Sequence, residues 1–248
     1  MGFRRQTRPG RLALLDRVVL ALEASLLTRR DGPWAQAPVV DVGIGSRPWT
    51  TVELAACVAP VPVIGVDSSA DVVARAQRFE APGVSFVRGS FSLPMRGVRL
   101  IRVMNVLRDG PPEAVAIAHT LLGGSLLDGG LVIEGSCAPS GEVGTAHWLR
   151  KTSTGLTREG LVMWLDGSRG THPMAFRDRL PRDLRGAQPH PIFDVLARWT
   201  AALHRLPASP DRLAAAAASV EHLTPVPIHG GQAFKLEWPP GPRAAARP

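Results

Sequence analysis

The spacing of apolar residues changes along this chain, and each change marks an element. From Arg11 to Thr28 the apolar positions Leu12, Leu15, Val19, Leu22 and Leu26 recur at helical spacing, predicting an amphipathic helix stopped by Asp31-Gly32-Pro33. Short, mostly apolar runs follow, each read as a strand, the first two of them buried. They are Val39-Val40-Asp41-Val42-Gly43, Val63-Ile64-Gly65-Val66-Asp67, Val84 to Val87, Leu100 to Leu107, and Leu131-Val132-Ile133-Glu134. Helical stretches separate them: Thr50 to Ala59, Ser68 to Phe79, and one opened by Asp109-Gly110-Pro111-Pro112-Glu113 and ended after Leu122 by Gly123-Gly124. Thr50 with Glu53 has capping-box spacing, and Ser68 with Asp71 is a second candidate cap.

Strand, helix, strand, repeated through short turns, implies parallel strands with right-handed crossovers. The expected fold is α/β: a doubly wound, mostly parallel sheet with helices on both faces, plus an N-terminal helix and C-terminal additions. Ligands of such sheets sit beyond the carboxyl ends of the strands. After Ser136 the pattern changes. His147 to Lys151 and Leu161 to Leu165 are read as a hairpin around Ser153-Thr154-Gly155, Pro191 to Leu206 and Leu213 to Val220 as helices, and Ala233 to Trp238 as a last edge strand. The expected organisation is a basic arm and helix over 1–30, one α/β domain over 31–238 with a cofactor half (38–136) and an acceptor-shaping half (137–238), and a disordered Pro-, Ala- and Arg-rich tail over 239–248.

Composition narrows the class. At 45% hydrophobic and 20% charged, the chain can bury a core, which excludes wholesale disorder and fibrous classes. The longest apolar stretch, Leu12 to Leu27, is broken by Asp16, Arg17 and Glu23, so neither a membrane span nor a signal peptide is expected. Two cysteines, Cys57 and Cys137, cannot build a disulfide scaffold; both are read as buried, reduced thiols of a cytoplasmic protein. The net charge is +8, yet of 29 basic residues only Lys151 and Lys235 are lysines, and the arginines are scattered. That charge permits a nucleic-acid partner without indicating one. No Cys- or His-rich spacing points to a metal.

The chemistry concentrates in Asp41-Val42-Gly43-Ile44-Gly45-Ser46-Arg47-Pro48, between a strand and a helix. Gly43 and Gly45 allow positive φ and close backbone approach to a ligand, and the following helix start directs N–H groups at it. The next strand ends in Asp67, where a carboxylate can accept hydrogen bonds from ribose hydroxyls. These features describe a site for an adenosine-type ligand. A dinucleotide fingerprint would place a third glycine at Pro48. An acid opening the loop also suits a cationic ligand without phosphates better than a pyrophosphate, and S-adenosyl-L-methionine is such a ligand.

With its order and spacing, the segment from Val39 to Gly45 resembles the first motif of class I S-adenosylmethionine-dependent methyltransferases. Val63 to Asp67 resembles their second strand with its ribose-binding acid, Asn105-Val106-Leu107 the end of their fourth strand, and Gly129 to Glu134 their turn into strand five. The resemblance covers about Pro38 to Ser136. It implies that Asp41, Gly43 and Gly45 line the methionine end of the cofactor, that Asp67 holds the ribose, and that Asn105 sits near the transferred methyl. The chain departs from the pattern at Arg47, where many members have a third glycine, and after strand three, where Gly89-Ser90-Phe91 leaves Ser90 in place of an acid at the adenine. Glu134 and His147 are candidate general bases without a signature spacing. The implied activity is methyl transfer to an unidentified acceptor. The alternatives are an NAD(P)-dependent oxidoreductase and a non-catalytic binding module of the same fold.

Overall fold

The computed structural model describes residues 7–167, 172–185 and 190–238. The tail over 239–248 and the first six residues of the basic arm lie outside the described residues. Helix α1 (Ala13–Thr28) leads into five strands: β1 (Val39–Val42), β2 (Val63–Asp67), β3 (Val84–Arg88), β4 (Val98–Met104) and β5 (Leu126–Cys137). Helices α2 (Trp49–Val58), α3 (Ala70–Ala76) and α4 (Glu113–Gly123) connect β1 to β2, β2 to β3 and β4 to β5. Then come β6 (Val143–Thr152), β7 (Gly155–Leu165), α5 (Pro191–Arg205), α6 (Arg212–Ala218), β8 (Leu223–Val226) and β9 (Gln232–Glu237).

All the strands form one sheet of order β3-β2-β1-β4-β5-β6-β7-β9-β8. The first five are parallel neighbours, and from β5 onward every pairing is antiparallel. The doubly wound α/β architecture is therefore present, and the additions extend its far edge. On one face, α1 and α2 pack with Val39, Leu100, Ile133, Trp148 and Trp164, and α3 closes the β3 end with Val72, Val73, Ala76 and Phe86. On the other, α5 and α6 cover Leu161, Met163 and Phe234 around Trp199. The strand order reverses direction at β1 and β4, because β2 and β3 lie to one side and β5 to the other. A crevice opens there by construction.

Several local expectations change. The capping box at Thr50 and Glu53 does not form: α2 has no side-chain cap, and the Glu53 carboxylate instead accepts the Gly10 N–H at 2.7 Å, pinning the arm to the domain. Ser68 likewise caps nothing; α3 starts at Ala70, and Asp67 accepts the Ser69 N–H at 3.0 Å. The expected edge strand near the C-terminus is interior, because β8 pairs outside it. Pro225 within β8 obscured that strand, and proline is tolerated there because an edge strand leaves donors unpaired. Cys57 is exposed on the outside of α2, not buried; Cys137 is buried. Among the described residues, no helix is long and apolar enough to cross a membrane.

Candidate functional site

The turn after β1 carries the backbone the sequence demanded. Gly43 and Gly45 have φ of 89° and 75°, and a Cβ on Gly43 would meet Val106 Cγ2 at 2.5 Å. Asp67 ends β2 level with Gly43, since Val42 pairs with Val66. Its carboxylate accepts the Gly45 N–H at 3.3 Å and the Ser69 N–H at 3.0 Å, so the acid and the glycine turn hold each other in place.

Two adjoining cavities border Asp67. One, of about 350 Å³, is lined by Gly43, Gly45, Asp67, Asn105 and Asp109, with Thr7 and Arg11 from the N-terminal segment. The other, of about 160 Å³, is lined by Gly89, Ser90 and Phe91 and shares Gly43, Asp67, Ser68 and Val106 with the first. Thr7 leans over the turn and donates to the Ile44 carbonyl at 3.5 Å. Arg11 donates through Nε to the Ala138 carbonyl at 3.3 Å, while its Nη2 is buried without a protein partner. Asn105 adopts a left-handed φ of 63°. Its side chain is tied to the end of β5, accepting the Cys137 N–H at 3.0 Å and contacting Cys137 Sγ at 3.4 Å. A carboxamide that hydrogen-bonds locally suits that conformation.

Gly43, Gly45, Asp67, Ser90 and Asn105 thus gather around one crevice. Asp41 does not join them. It lies two residues back from Gly43 along β1, about 6.6 Å deeper at strand rise, and α2 covers it. Only 3% of its surface is exposed. Its oxygens accept Arg102 Nε at 2.8 Å, Arg102 Nη2 at 3.0 Å and the Thr51 hydroxyl at 2.7 Å. Arg102 stands directly opposite it on β4 and also reaches Asp16 of α1 and the Thr50 carbonyl. The expected lining role of Asp41 is therefore corrected: its charge is spent on a buried arginine. Two carboxylates share one guanidinium in that group. Burial opposes the charge on Arg102, and the two acids outweigh it, holding the guanidinium well above its ordinary range. Burial and the charge of Asp41 push Asp16 up to about 6 despite Arg102.

Glu134 and His147 are also absent from the crevice lining. Glu134 on β5 pairs directly with His147 on β6, and both point to the face that α4 covers. His147 Nε2 lies 2.8 Å from Asp183 Oδ1, and Arg158 holds Asp183 Oδ2 at 2.7 Å. Asp183 belongs to a 3-10 turn, Arg182–Arg185. Burial pushes His147 below its ordinary value, against the pull of Asp183. Asp183 is held well below the usual carboxylate range: burial opposes its charge, but the His147 hydrogen bond and Arg158 prevail. Sequence spacing brought no metal-ligand set to notice; the fold nonetheless assembles Glu134, His147 and Asp183 from three distant segments. Asp109 and Arg11 were missed as crevice residues. The helix-start motif masked the first, and the second precedes every motif.

The fold and the crevice define a doubly wound α/β protein with a nucleoside-sized cleft at its switch point. No protein family and no curated protein matches the chain. Solved structures similar to part of it include an S-adenosylmethionine-dependent methyltransferase from Mesorhizobium loti (20% identity over 56% of this chain and 74% of that one, TM-score 0.35). Another is the O-methyltransferase NcsB1 of neocarzinostatin biosynthesis, solved with S-adenosyl-L-homocysteine and 1,4-dihydroxy-2-naphthoic acid (22% identity, 51% and 39% covered, TM-score 0.35). A third is the mitomycin 7-O-methyltransferase MmcR (15% identity, 51% and 36% covered, TM-score 0.40).

Proposed function

We propose that this chain is an S-adenosylmethionine-dependent methyltransferase. The observation that carries the reading is the convergence of Asp67, the Gly43–Gly45 turn and Asn105 on one crevice whose larger cavity is also walled by Asp109 and Arg11. Asp67 accepts hydrogen bonds from the ribose hydroxyls. Its two backbone donors fix the carboxylate and leave lone pairs free, since each oxygen can accept more than one bond. The larger cavity takes the amino-acid end. There Asp109 faces the ammonium, and the unpaired Arg11 Nη2 supplies the donor a carboxylate needs. That orphaned buried donor is the best local sign of fit, because an unsatisfied charged group of this kind costs roughly 1–3 kcal/mol until something pairs with it. The smaller cavity takes the base, with Phe91 and Ser90 as its wall.

When bound, S-adenosylmethionine supplies a methyl carbon activated by a sulfonium. The protein's task is then placement: holding the acceptor in line with that carbon contributes much of the acceleration. Glu134 and His147 are not needed at the cleft for this chemistry, and any proton lost by the acceptor would pass to solvent. Residues 38–136 act as the cofactor half, and residues 137–238 brace the far wall and shape the acceptor side. The acceptor is unidentified.

Titration calorimetry of the folded chain with S-adenosylmethionine and S-adenosylhomocysteine tests the reading. Saturable binding of both is expected. Heat from neither would overturn it, and a thermal shift with NADH but not with the sulfonium ligand would favour the oxidoreductase alternative.

A further inference from the structure

We propose that Glu134, His147 and Asp183 form a binding site for a zinc-type divalent metal ion. The site is separate from the crevice, and the inference does not rest on the proposed methyl transfer. Glu134 and His147 are cross-strand partners on one face of the sheet. The turn Arg182–Arg185 brings Asp183 over them, so that one ligand atom from each of the three lies within 4.8 Å of the others. From α4, His119 places Nε2 at 3.6 Å from Glu134 Oε2, and its ring centroid lies 6.0 Å from that of His147.

The argument for an ion comes from what these groups leave unsatisfied. Glu134 is 1% exposed and His147 is fully buried. Glu134 Oε2, His147 Nδ1 and His119 Nε2 are all buried without a hydrogen-bond partner. Buried polar atoms are nearly always paired; Glu134 Oε2 is the orphan that an ion in this cluster would satisfy, with His119 Nε2 beside it at 3.6 Å, while His147 reaches the cluster through Nε2, 2.8 Å from Asp183, and its Nδ1 lies on the far side of the ring. Imidazole nitrogens and carboxylate oxygens both carry lone pairs, so what they lack is a Lewis acid or a proton. An imidazole with two carboxylates suits zinc and its first-row neighbours, whereas magnesium and calcium favour all-oxygen shells. Arg158 holds the far oxygen of Asp183 at 2.7 Å, the outer support that orients a liganding carboxylate.

Such an ion would be structural, because no cavity reaches it among those described around the crevice. It would clamp the Arg182–Arg185 turn to the sheet. That turn braces the loop after β4: Arg182 donates to the Gly110 carbonyl at 2.8 Å and Arg185 to the Arg108 carbonyl at 3.0 Å. The ion would thereby steady the wall that carries Asp109.

The test uses the untagged full-length chain, stripped with a chelator and titrated with zinc chloride. One zinc per chain is expected, with a rise in melting temperature and no comparable response to magnesium. Glu134→Gln and Asp183→Asn, which preserve shape, should each weaken zinc binding at least tenfold, while His229→Ala at an exposed histidine should not. Zinc-edge X-ray absorption on the wild-type chain covers the case in which a variant fails to fold: imidazole and oxygen scatterers without sulfur are expected. Absence of stoichiometric zinc, binding that survives both isosteric variants, or a zinc–sulfur signal from Cys57 or Cys137 would overturn the proposal.

Discussion

Asp16→Asn is expected to erase a pH dependence of stability and to cost little at neutral pH. Asp16 and Asp41 share the single guanidinium of Arg102 beneath α1 and α2, and all three side chains are almost wholly buried. Asp41 takes the larger share, with both oxygens bonded to Arg102, and Asp16 keeps Oδ2 buried and unpartnered. The group therefore carries one uncompensated negative charge, and burial raises Asp16 from 3.8 to about 6. A carboxyl whose folded value is raised binds its proton more tightly in the native state. Its contribution to stability is then fully present below about pH 4 and is lost as pH rises through 6. Over the whole interval this amounts to about 3 kcal/mol, and between pH 7 and pH 5 to about 1 kcal/mol. Urea denaturation followed by tryptophan fluorescence at both pH values reads it directly, since Trp148, Trp164 and Trp199 are buried. The wild-type chain should gain about 1 kcal/mol more than Asp16→Asn on moving from pH 7 to pH 5, with other titrating groups cancelling in the comparison. Equal gains would refute the reasoning. So would a loss of about 3 kcal/mol or more in Asp16→Asn at pH 7, the cost expected if Asp16 were a net stabilising partner of Arg102.

Four other outcomes follow from the same structure. Asp67→Ala should weaken S-adenosylhomocysteine at least about tenfold in calorimetry, as loss of charge-assisted hydrogen bonds worth about 1.5–3 kcal/mol would do, while the far-ultraviolet spectrum stays unchanged. Gly43→Val should impair the same binding, because its Cβ would press on Val106 and φ is positive; unchanged affinity would contradict the placement of the turn. Arg11→Ala should lower affinity for S-adenosylhomocysteine but not for 5′-methylthioadenosine, which lacks the carboxylate; equal losses would mean that Arg11 acts only on folding. Arg99→Met should cost about 3 kcal/mol in urea denaturation, since Arg99 donates to the carbonyls of Leu26, Leu27, Arg29, Trp34 and Ala37 where α1 ends, and removing it orphans several buried acceptors.

The parallel half of the fold was legible because its central strands β1 and β4 are buried throughout and all five read as mostly apolar runs. β2 runs from Val63 to Asp67, as its apolar run implied. The antiparallel half was legible only at its cores. β5 begins at Leu126, ahead of the run from Leu131, and takes in Asp128, while β6 begins at Val143, ahead of the stretch from His147. The crevice was legible where backbone geometry dictates residue type, as at Gly43 and Gly45, or where a strand end does, as at Asp67. Asp41 shows the limit of that reasoning. An acid two residues before a glycine turn lies on the same face as the turn but one pleat repeat below it, so its exposure depends on what stands across the sheet. Here Arg102 stands there, 61 residues away in sequence. Loop chemistry alone cannot separate a carboxylate aimed at a ligand from one consumed by a cross-strand arginine. Had the run Leu100 to Leu107 been read as a strand beside β1, the charged residue inside that otherwise apolar run would have called for a buried counter-charge, and the nearest acid on the neighbouring strand is Asp41. A buried charge in a central strand is thus itself a contact prediction, because leaving it unpaired costs several kcal/mol.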